Sequence, residues 1–161
     1  MIVVSNTSPI TNLAAVGQLA VLQQLYEKVV IPPAVYSELT GMGAGQPGAL
    51  EVQTLGWIET RPVTDRVLVT ALQMELDEGE AEAIALAVEL KAGLVLLDER
   101  RGRAVASRLG LRFIGLLGVL IEAKQKGGIP AVKPVLDELV VRAGFWVSQR
   151  LYARVLRAAG E

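Results

Sequence analysis

Short apolar runs and segments of helical periodicity alternate along the chain. Five runs are too short for helices and predict strands, and they lie at residues 2–4, 29–31, 57–60, 94–97 and 111–114. Apolar residues recur every three or four positions elsewhere, which predicts helices near residues 9–25, 32–40, 49–55, 65–75, 78–92, 100–109, 115–126, 131–142 and 148–159. Because helices alternate with short strands, the pattern predicts one parallel-sheet α/β domain over residues 1–161.

The first helix follows a polar segment. Thr7 or Ser8 can cap its start and Pro9 suits its first turn, and the helical spacing continues across Gly17 to Leu25. A later loop, residues 41–48, contains a G-x-G-x-x-G pattern at Gly43, Gly45 and Gly48. It is not a dinucleotide-binding motif, because it follows a helix instead of a strand and a proline interrupts it.

The segment from residue 94 to residue 114 predicts a site. Its apolar run ends at Asp98, and a basic amphipathic helix and a further strand follow. Such a strand–helix–strand unit is right-handed, and ligands of open α/β sheets bind beyond the carboxyl ends of the strands. Asp98 is therefore predicted to lie at a functional site, with an N-cap for the next helix as the structural alternative.

The residue types that are missing limit the chemistry. The chain has no cysteine and no histidine, which excludes thiolate nucleophiles, Ser-His-Asp hydrolysis and His-ligated metals. Catalysis would depend on carboxylates, Lys, Tyr, Ser or Thr, and carboxylates suit Mg²⁺ or Mn²⁺. Neither a membrane-spanning run nor a signal peptide is recognisable, so the expected location is cytoplasmic.

Charge is distributed unevenly, although the net charge is only −1. Residues 1–99 contain 4 basic and 13 acidic side chains, whereas residues 100–161 contain 12 basic and 4 acidic ones. A metal site that faces a polyanion requires an acidic cluster beside a basic region. The alternative, in which the charges intermix on the folded surface, stays open at this point.

Three further polar residues are candidates to join Asp98. Glu80 lies in the first turn of its helix, on the face of Val88. Glu38 borders the inward stripe of its helix, and Asn6 ends the first strand. The structural alternative for Glu80 is favourable pairing with the helix macrodipole. For Glu38 it is an ordinary exposed helical position, and for Asn6 it is turn capping. Together these oxygens could hold one or two Mg²⁺, which would activate water for displacement at phosphorus.

Other glutamates of helix 78–92 fall on another face and are predicted to be solvated, namely Glu78, Glu82 and Glu89.

The order of four segments resembles the PIN-domain superfamily, and in particular a prokaryotic subgroup of it. The segments are SNTSPI (5–10), IPPAVYSEL (31–39), LDEGEAEAIALA (76–87) and LLDERRGRAVASRLGLRFIGLLGVLIEAKQKGGI (96–129). The resemblance implies a three-layer α/β/α sandwich, with a central, mainly parallel sheet of about 4–5 short strands flanked by helices. It also implies an acidic cluster that binds Mg²⁺ or Mn²⁺ and cleaves RNA.

By position, the resemblance assigns the family's catalytic and metal-binding residues to Asn6, Glu38, Glu80 and Asp98. Asn6 stands where the family usually has Asp, and the missing charge should weaken metal affinity. Leu116 stands where a small hydroxyl residue is common. The residues expected to meet RNA phosphates are Arg100, Arg101, Arg103 and Ser8, and Arg103 could instead orient a carboxylate.

The resemblance implies a metal-dependent ribonuclease that is the toxin of a toxin–antitoxin pair, with a small antitoxin protein and a second copy of itself as partners and no membrane partner. One alternative is a catalytically weak module that binds RNA or protein, and Asn6 favours it. A receiver-like or phosphohydrolase-like domain is less favoured, because the first strand offers no Asp as phosphoryl acceptor. The helices at residues 131–159 are predicted to pack on the domain, as a lid on its core or as a partner-binding surface.

Overall fold

The computed structural model describes residues 1–41 and 45–161. The strands are β1 (Val3–Ser5), β2 (Val29–Ile31), β3 (Ile58–Thr60), β4 (Leu94–Leu96) and β5 (Phe113–Ile114). Within the described residues they form a five-stranded parallel sheet in the order β3-β2-β1-β4-β5. Since β2 and β3 extend from one side of β1 and β4 and β5 from the other, the strand order reverses between β1 and β4.

Ten helices connect and cover these strands in the described part of the chain. They are α1 (Thr7–Ala15), α2 (Ala20–Tyr26), α3 (Pro33–Gly41), α4 (Ala49–Thr54), α5 (Arg66–Leu72), α6 (Glu78–Glu89), α7 (Arg100–Arg108), α8 (Leu116–Gln125), α9 (Val132–Arg142) and α10 (Gln149–Ala158). Most predicted elements therefore form, with ends that differ by a few residues. Gly43, in the rejected glycine pattern, lies outside the described residues.

Alternating strand residues divide the core into two layers. Val3, Val29 and Leu94 pack in one apolar cluster with residues of α1, α2, α8 and α9. Val4 and Val95 pack in a second cluster, with residues of α5, α6 and α7. Successive strand side chains point to opposite faces, so short apolar runs bury both faces of a parallel sheet. The result is the predicted three-layer α/β/α sandwich.

The prediction of one helix from Pro9 to Leu25 is wrong. Gly17 adopts a φ of +69°, α1 ends before it and α2 begins after it. Glycine accepts a positive φ without steric cost, so the chain turns here although the apolar spacing continues. The predicted caps, Thr7 and Ser8, are also displaced, because Asn6 in extended conformation occupies the N-cap position of α1.

Helix α6 is buried on nearly all sides, and this overturns two predictions made from its periodicity. Val88, predicted to face the core, is 37% exposed, whereas Glu82, predicted to be solvated, is only 4% exposed. The Glu82 carboxylate accepts a hydrogen bond from the Ala34 amide and pairs with Arg66, both at 2.9 Å. Because α6 packs on α3, α5, α7 and the sheet together, one apolar stripe could not describe its environment.

Glu89, also predicted to be solvated, is half-buried and holds the start of α5. Its carboxylate accepts hydrogen bonds from the amide and hydroxyl of Thr64 and from the Asp65 amide, at 2.6–3.1 Å. The third glutamate of that group, Glu78, is exposed as predicted. Two of the three therefore have structural roles.

The last two helices contribute to the first apolar cluster. Leu136, Leu139 and Val155 are buried there, and Phe145 packs against them from the connection between α9 and α10. Trp146, the next residue, is 80% exposed. The segment thus covers the core and also presents one large aromatic side chain to solvent. None of the described helices is long and apolar enough to span a lipid bilayer.

Candidate active site

Two site residues follow the central strands of the sheet. Ser5 of β1 is paired with Leu96 of β4, and the amide of Asn6 donates to the Leu96 carbonyl at 3.1 Å, which extends the pairing by one residue. Asp98 follows β4 two residues beyond Leu96. These positions lie at the reversal of strand order, where open α/β sheets bind ligands.

Three of the predicted residues line one polar cavity of about 270 Å³, which we call the acidic cleft. Asn6 lies at the end of β1, Glu38 on α3 and Glu80 in the first turn of α6. Two carboxylates that the sequence analysis did not select, Asp77 and Glu99, also line it. Helices from different parts of the sequence thus bring like charges together at one edge of the sheet.

Glu80 is the most strongly perturbed carboxylate of the acidic cleft. Its side chain is buried, and its Oε2 atom has no hydrogen-bond partner among the described residues. Burial, together with the hydrogen bond and negative charge of Asp77 and the charge of Glu99, raises the pKa of Glu80 to about 7. At neutral pH this group can therefore hold or release a proton.

Glu38 occupies the solvent side of the same cleft. It is exposed, and its Oε2 atom accepts a hydrogen bond from the Thr7 hydroxyl. The bond joins α3 to the start of α1 and directs the carboxylate towards the cleft. Ser8, predicted to contact phosphate, lines the cleft as well, and its hydroxyl oxygen is buried without a partner of good geometry in the described structure.

Asp98 is supported by donors on two sides. Its Oδ1 atom accepts from the Leu116 amide at 2.8 Å and lies 3.7 Å from the Arg103 guanidinium. Arg103 is itself fixed, because its Nε–H donates to the Leu97 carbonyl at 2.9 Å and its guanidinium lies 5.5 Å from the Phe113 ring centre. The structure therefore favours the role of Arg103 in orienting a carboxylate.

Burial raises the pKa of Asp98, and the Leu116 amide, the Arg103 charge and the nearby Ser8 hydroxyl oppose that rise. Its second oxygen, Oδ2, is buried and has no partner within the described chain. Leu116, which stands where the family usually has a small hydroxyl residue, is fully buried and supports Asp98 only through its backbone.

Asp98 opens into a second cavity of about 770 Å³, which we call the aromatic cleft. Besides Asp98 and Arg103, its main lining residues are Glu99, Phe145, Trp146, Leu151 and Val155. Glu99 lines both clefts, so the two cavities adjoin at the start of α7. The aromatic wall comes from the α9–α10 segment, which has no sequence proximity to the carboxylates.

Each of the three predicted carboxylates rests against a glycine. The pairs are Gly79 with Glu38, Gly102 with Glu80, and Gly115 with Asp98. A Cβ atom would overlap the Glu38 carboxylate at Gly79. At Gly102 it would lie 3.0 Å from both Glu80 Oε2 and Leu97 Cδ1, and at Gly115 it would overlap the Arg103 guanidinium and lie 2.9 Å from Asp98 Oδ1. A larger residue at these positions would therefore force neighbouring side chains of the site to move.

The donor set fits a hard divalent cation that takes few protein ligands. The two buried oxygens without partners, on Glu80 and Asp98, are hard anionic donors that a cation would satisfy. Across residues 1–41 and 45–161, however, no three acidic side chains come close enough together to hold one ion. A cation such as Mg²⁺, which keeps several of its waters, is compatible with such a site.

Two of the predicted phosphate contacts, Arg100 and Arg101, are exposed at the start of α7.

Asp77 and Glu99 are the candidate site residues that sequence reasoning missed. Asp77 is the N-cap of α6 and accepts from the Glu80 amide at 2.8 Å, and Glu99 directly follows Asp98. The signal was their position beside selected residues, and for Asp77 the ordinary role of an N-cap explained it equally well.

A family model described as a PIN domain matches residues 2–161. The chain belongs to the PIN-domain family. The resemblance inferred from the sequence is therefore confirmed, and so is the fold class that it implied. PIN domains are generally nucleases and typically use divalent metal ions, so this PIN domain has a nuclease-type fold. No curated protein matches the chain.

Proposed function

We propose that this PIN domain is a Mg²⁺- or Mn²⁺-dependent endoribonuclease that hydrolyses phosphodiester bonds of RNA. The observation that carries the proposal is the pair of buried, unpartnered carboxylate oxygens on Glu80 and Asp98, beside the carboxyl ends of β1 and β4. A buried carboxylate oxygen without a partner is costly, and the folded chain retains one on each of these two groups at the position where this fold binds ligands.

Each site residue has a defined part in the proposal. Glu80 and Asp98 would hold the cation directly, Glu38 would add charge from the solvent side, and Asn6 would contribute a neutral oxygen or anchor a water molecule. When bound, a divalent cation activates water and offsets the charge that develops on phosphorus. Arg103 keeps Asp98 in place through its own fixed position.

The chain also provides groups for binding RNA. Arg100 and Arg101 are exposed at the start of α7 and would contact phosphates, as would the Ser8 hydroxyl. Phosphates would therefore be bound both by arginines of α7 and by a hydroxyl in the acidic cleft itself.

We further propose, as the resemblance of the sequence implied, that the enzyme is the cytoplasmic toxin of a toxin–antitoxin pair. A small antitoxin protein would inhibit it, and two copies would form a homodimer. Expression of the chain alone should then arrest cell growth, and Asp98→Asn should relieve the arrest. Normal growth with the soluble wild-type protein present would argue against the toxin role without affecting the nuclease proposal.

A second candidate function is a catalytically weak PIN module that acts by binding RNA or protein. Two observations favour it. Asn6 supplies no negative charge where the family usually has Asp, and no three acidic groups of the described chain converge on one ion. The two candidates differ in whether the carboxylates bind a metal.

The decisive experiment measures Mn²⁺ binding by calorimetry and RNA cleavage on the same samples. We expect the wild type to bind Mn²⁺ with a Kd in the micromolar range, on the order of −8 kcal/mol. Asp98→Asn keeps the shape of the side chain and should abolish binding and lower cleavage by more than about 100-fold. Glu138→Gln, which removes an exposed carboxylate of α9 paired with Arg142, is the matched control and should change neither. Cleavage that survives Asp98→Asn would contradict the nuclease mechanism.

A further inference from the structure

Trp146 is an unusual feature of the aromatic cleft. Phe145 packs on the core and fixes the connection between α9 and α10, while the adjacent Trp146 remains 80% exposed at the edge of the cavity. A large aromatic side chain is costly to leave in water, and an exposed apolar surface next to a site often binds a ligand. The fold thus holds a flat aromatic surface beside Asp98.

The aromatic cleft adjoins the acidic cleft and includes a candidate metal ligand of its own. Asp98 and Glu99 line the aromatic cleft, and Glu99 lines the acidic cleft as well. A ligand that occupied both would have one part among carboxylates and the next part against Trp146, Leu151 and Val155. Nucleotide chains have this alternation, because a charged phosphate is linked to a flat apolar base.

Basic residues are the sequence neighbours of lining residues on two elements of the cleft. Arg150 and Arg154 directly precede the lining residues Leu151 and Val155 on α10, and Arg100 follows Glu99 at the start of α7. In the part of the chain that the structure describes, these three arginines form no ion pair. Their charge is complementary to a polyanion and is not used within the fold.

We propose that the aromatic cleft binds one unpaired nucleobase of a single-stranded RNA, stacked on Trp146, next to the bond that the acidic cleft would cleave. This inference rests on the proposed function and adds to it a base-binding position at Trp146. A base in a duplex is stacked and paired, so it could not reach a cavity whose inner wall is the buried Val155. Arg150 and Arg154 contact the backbone of the same strand.

The test uses the full-length chain without metal, so that binding is measured separately from cleavage. In a Trp57→Phe background, Trp146 is the sole tryptophan and its fluorescence reports on the cleft. The probes are an eight-nucleotide oligouridylate, a ribose-phosphate chain of equal length without bases, and a duplex of equal length. We expect the oligouridylate to quench Trp146 and to bind at least about fivefold more tightly than the chain without bases.

Variants in the wild-type background separate stacking from charge. Trp146→Ala should weaken oligouridylate binding by about tenfold, which corresponds to about 1.4 kcal/mol, whereas Trp146→Phe keeps an aromatic surface and should stay within about threefold. Val67→Ala, which truncates an apolar side chain of α5 that is 82% exposed, is the control and should bind as the wild type does. Thermal unfolding establishes that each variant is folded.

Several results would overturn the inference. They are equal binding of the chain without bases, equal binding of the duplex, unchanged affinity in Trp146→Ala, or no binding of the oligouridylate at all. A change in Trp146 fluorescence with protein concentration alone would assign the surface to a second copy of the chain. If Asp98-dependent cleavage persists while Trp146→Ala binds normally, this inference fails and the nuclease proposal stands. If Trp146 is quenched but no cleavage depends on Asp98, the nuclease proposal fails instead.

Discussion

The acidic cleft and the aromatic cleft each contain a carboxylate with one buried, unpartnered oxygen, but they support it differently. Asp98, at the end of the aromatic cleft, has a backbone donor and a fixed arginine beside it. Glu80, in the acidic cleft, has Asp77 and Glu99 near it, and its pKa rises to about 7. One carboxylate is stabilised by the protein itself, whereas the other lacks a counter-charge.

This difference assigns separate tasks to the two groups. A carboxylate that already has a cationic neighbour keeps its position and charge whether or not a ligand is present. A carboxylate surrounded by like charges gains most when a cation arrives, because the cation removes the repulsion. We therefore expect Asp98 to set the geometry of the site, and Glu80 to set how strongly metal binding depends on pH and charge.

The largest effect should come from removing the support of Asp98. Arg103→Ala loses the ion pair, the hydrogen bond to the Leu97 carbonyl and the contact with the Phe113 ring, so we expect a loss of about 2 kcal/mol in the free energy of unfolding. Urea denaturation measures it. Arg108→Ala breaks an exposed pair with Glu75 and should cost less than about 0.5 kcal/mol. Equal losses in the two variants would mean that Arg103 is only a surface residue.

A smaller effect is expected from adding charge to the acidic cleft. Asn6→Asp places a carboxylate at the end of β1 and should raise Mn²⁺ affinity by about tenfold, or about 1.4 kcal/mol. Asn12→Asp makes the same chemical change elsewhere in the lining of the same cleft and should have less than about a threefold effect. Calorimetry with Mn²⁺ tests both variants. A rise in RNA cleavage of more than about tenfold in Asn6→Asp would support the catalytically weak module as the natural function.

The smallest effect concerns the proton of Glu80 in the metal-free protein. The folded-state pKa of about 7 lies above the ordinary value of 4.5, so folding favours the protonated form. Below pH 4.5 Glu80 is protonated in both the folded and the unfolded protein, so its raised pKa does not lower the free energy of unfolding. The loss of stability grows from pH 4.5 to 7 and is complete above pH 7. Glu80→Gln removes this cost, and allowing for solvent screening we expect it to stabilise the protein by about 1 kcal/mol at pH 8.

Chemical denaturation at pH 4 and pH 8 checks this expectation. The two proteins should differ less at pH 4 than at pH 8, with the variant the more stable at the higher pH. Glu78→Gln, in the same helix turn but exposed, is the control and should show no such pH dependence. A wild type that is more stable than Glu80→Gln at pH 8 would show that the charged form of Glu80 is favoured by folding.

Local pattern was sufficient to predict most strands, their parallel arrangement and the polar residues, Asn6 and Asp98, that follow β1 and β4. β1 and β4 are apolar runs buried on both faces, and a polar residue that follows such a run has few positions available to it. Asp98 could be selected on that basis. Gly17 shows the limit of periodicity, since the apolar spacing is helical on both sides of a residue whose backbone ends the helix.

Contacts between distant segments were not predictable in the same way. Glu82 and Glu80 are two positions apart on α6, yet one pairs with Arg66 and an α3 amide while the other faces the acidic cleft. Nothing in their spacing distinguishes the structural carboxylate from the candidate ligand. The aromatic cleft depends on how α10 packs beside α8, which the sequence leaves open, and so Trp146 could be assigned either to the core or to a partner surface.

The three glycines that underlie the carboxylates have a consequence for how relatives of this chain are recognised. A relative can retain every acidic residue and still lose the arrangement, because an added Cβ atom would overlap Glu38 at position 79 and Arg103 at position 115, and would crowd Glu80 and Leu97 at position 102. The informative signature is therefore a set of three glycine–acid pairs, and we expect active enzymes to retain the glycines together with the acids. Natural selection on the chemistry would then be visible at residues that carry no functional group.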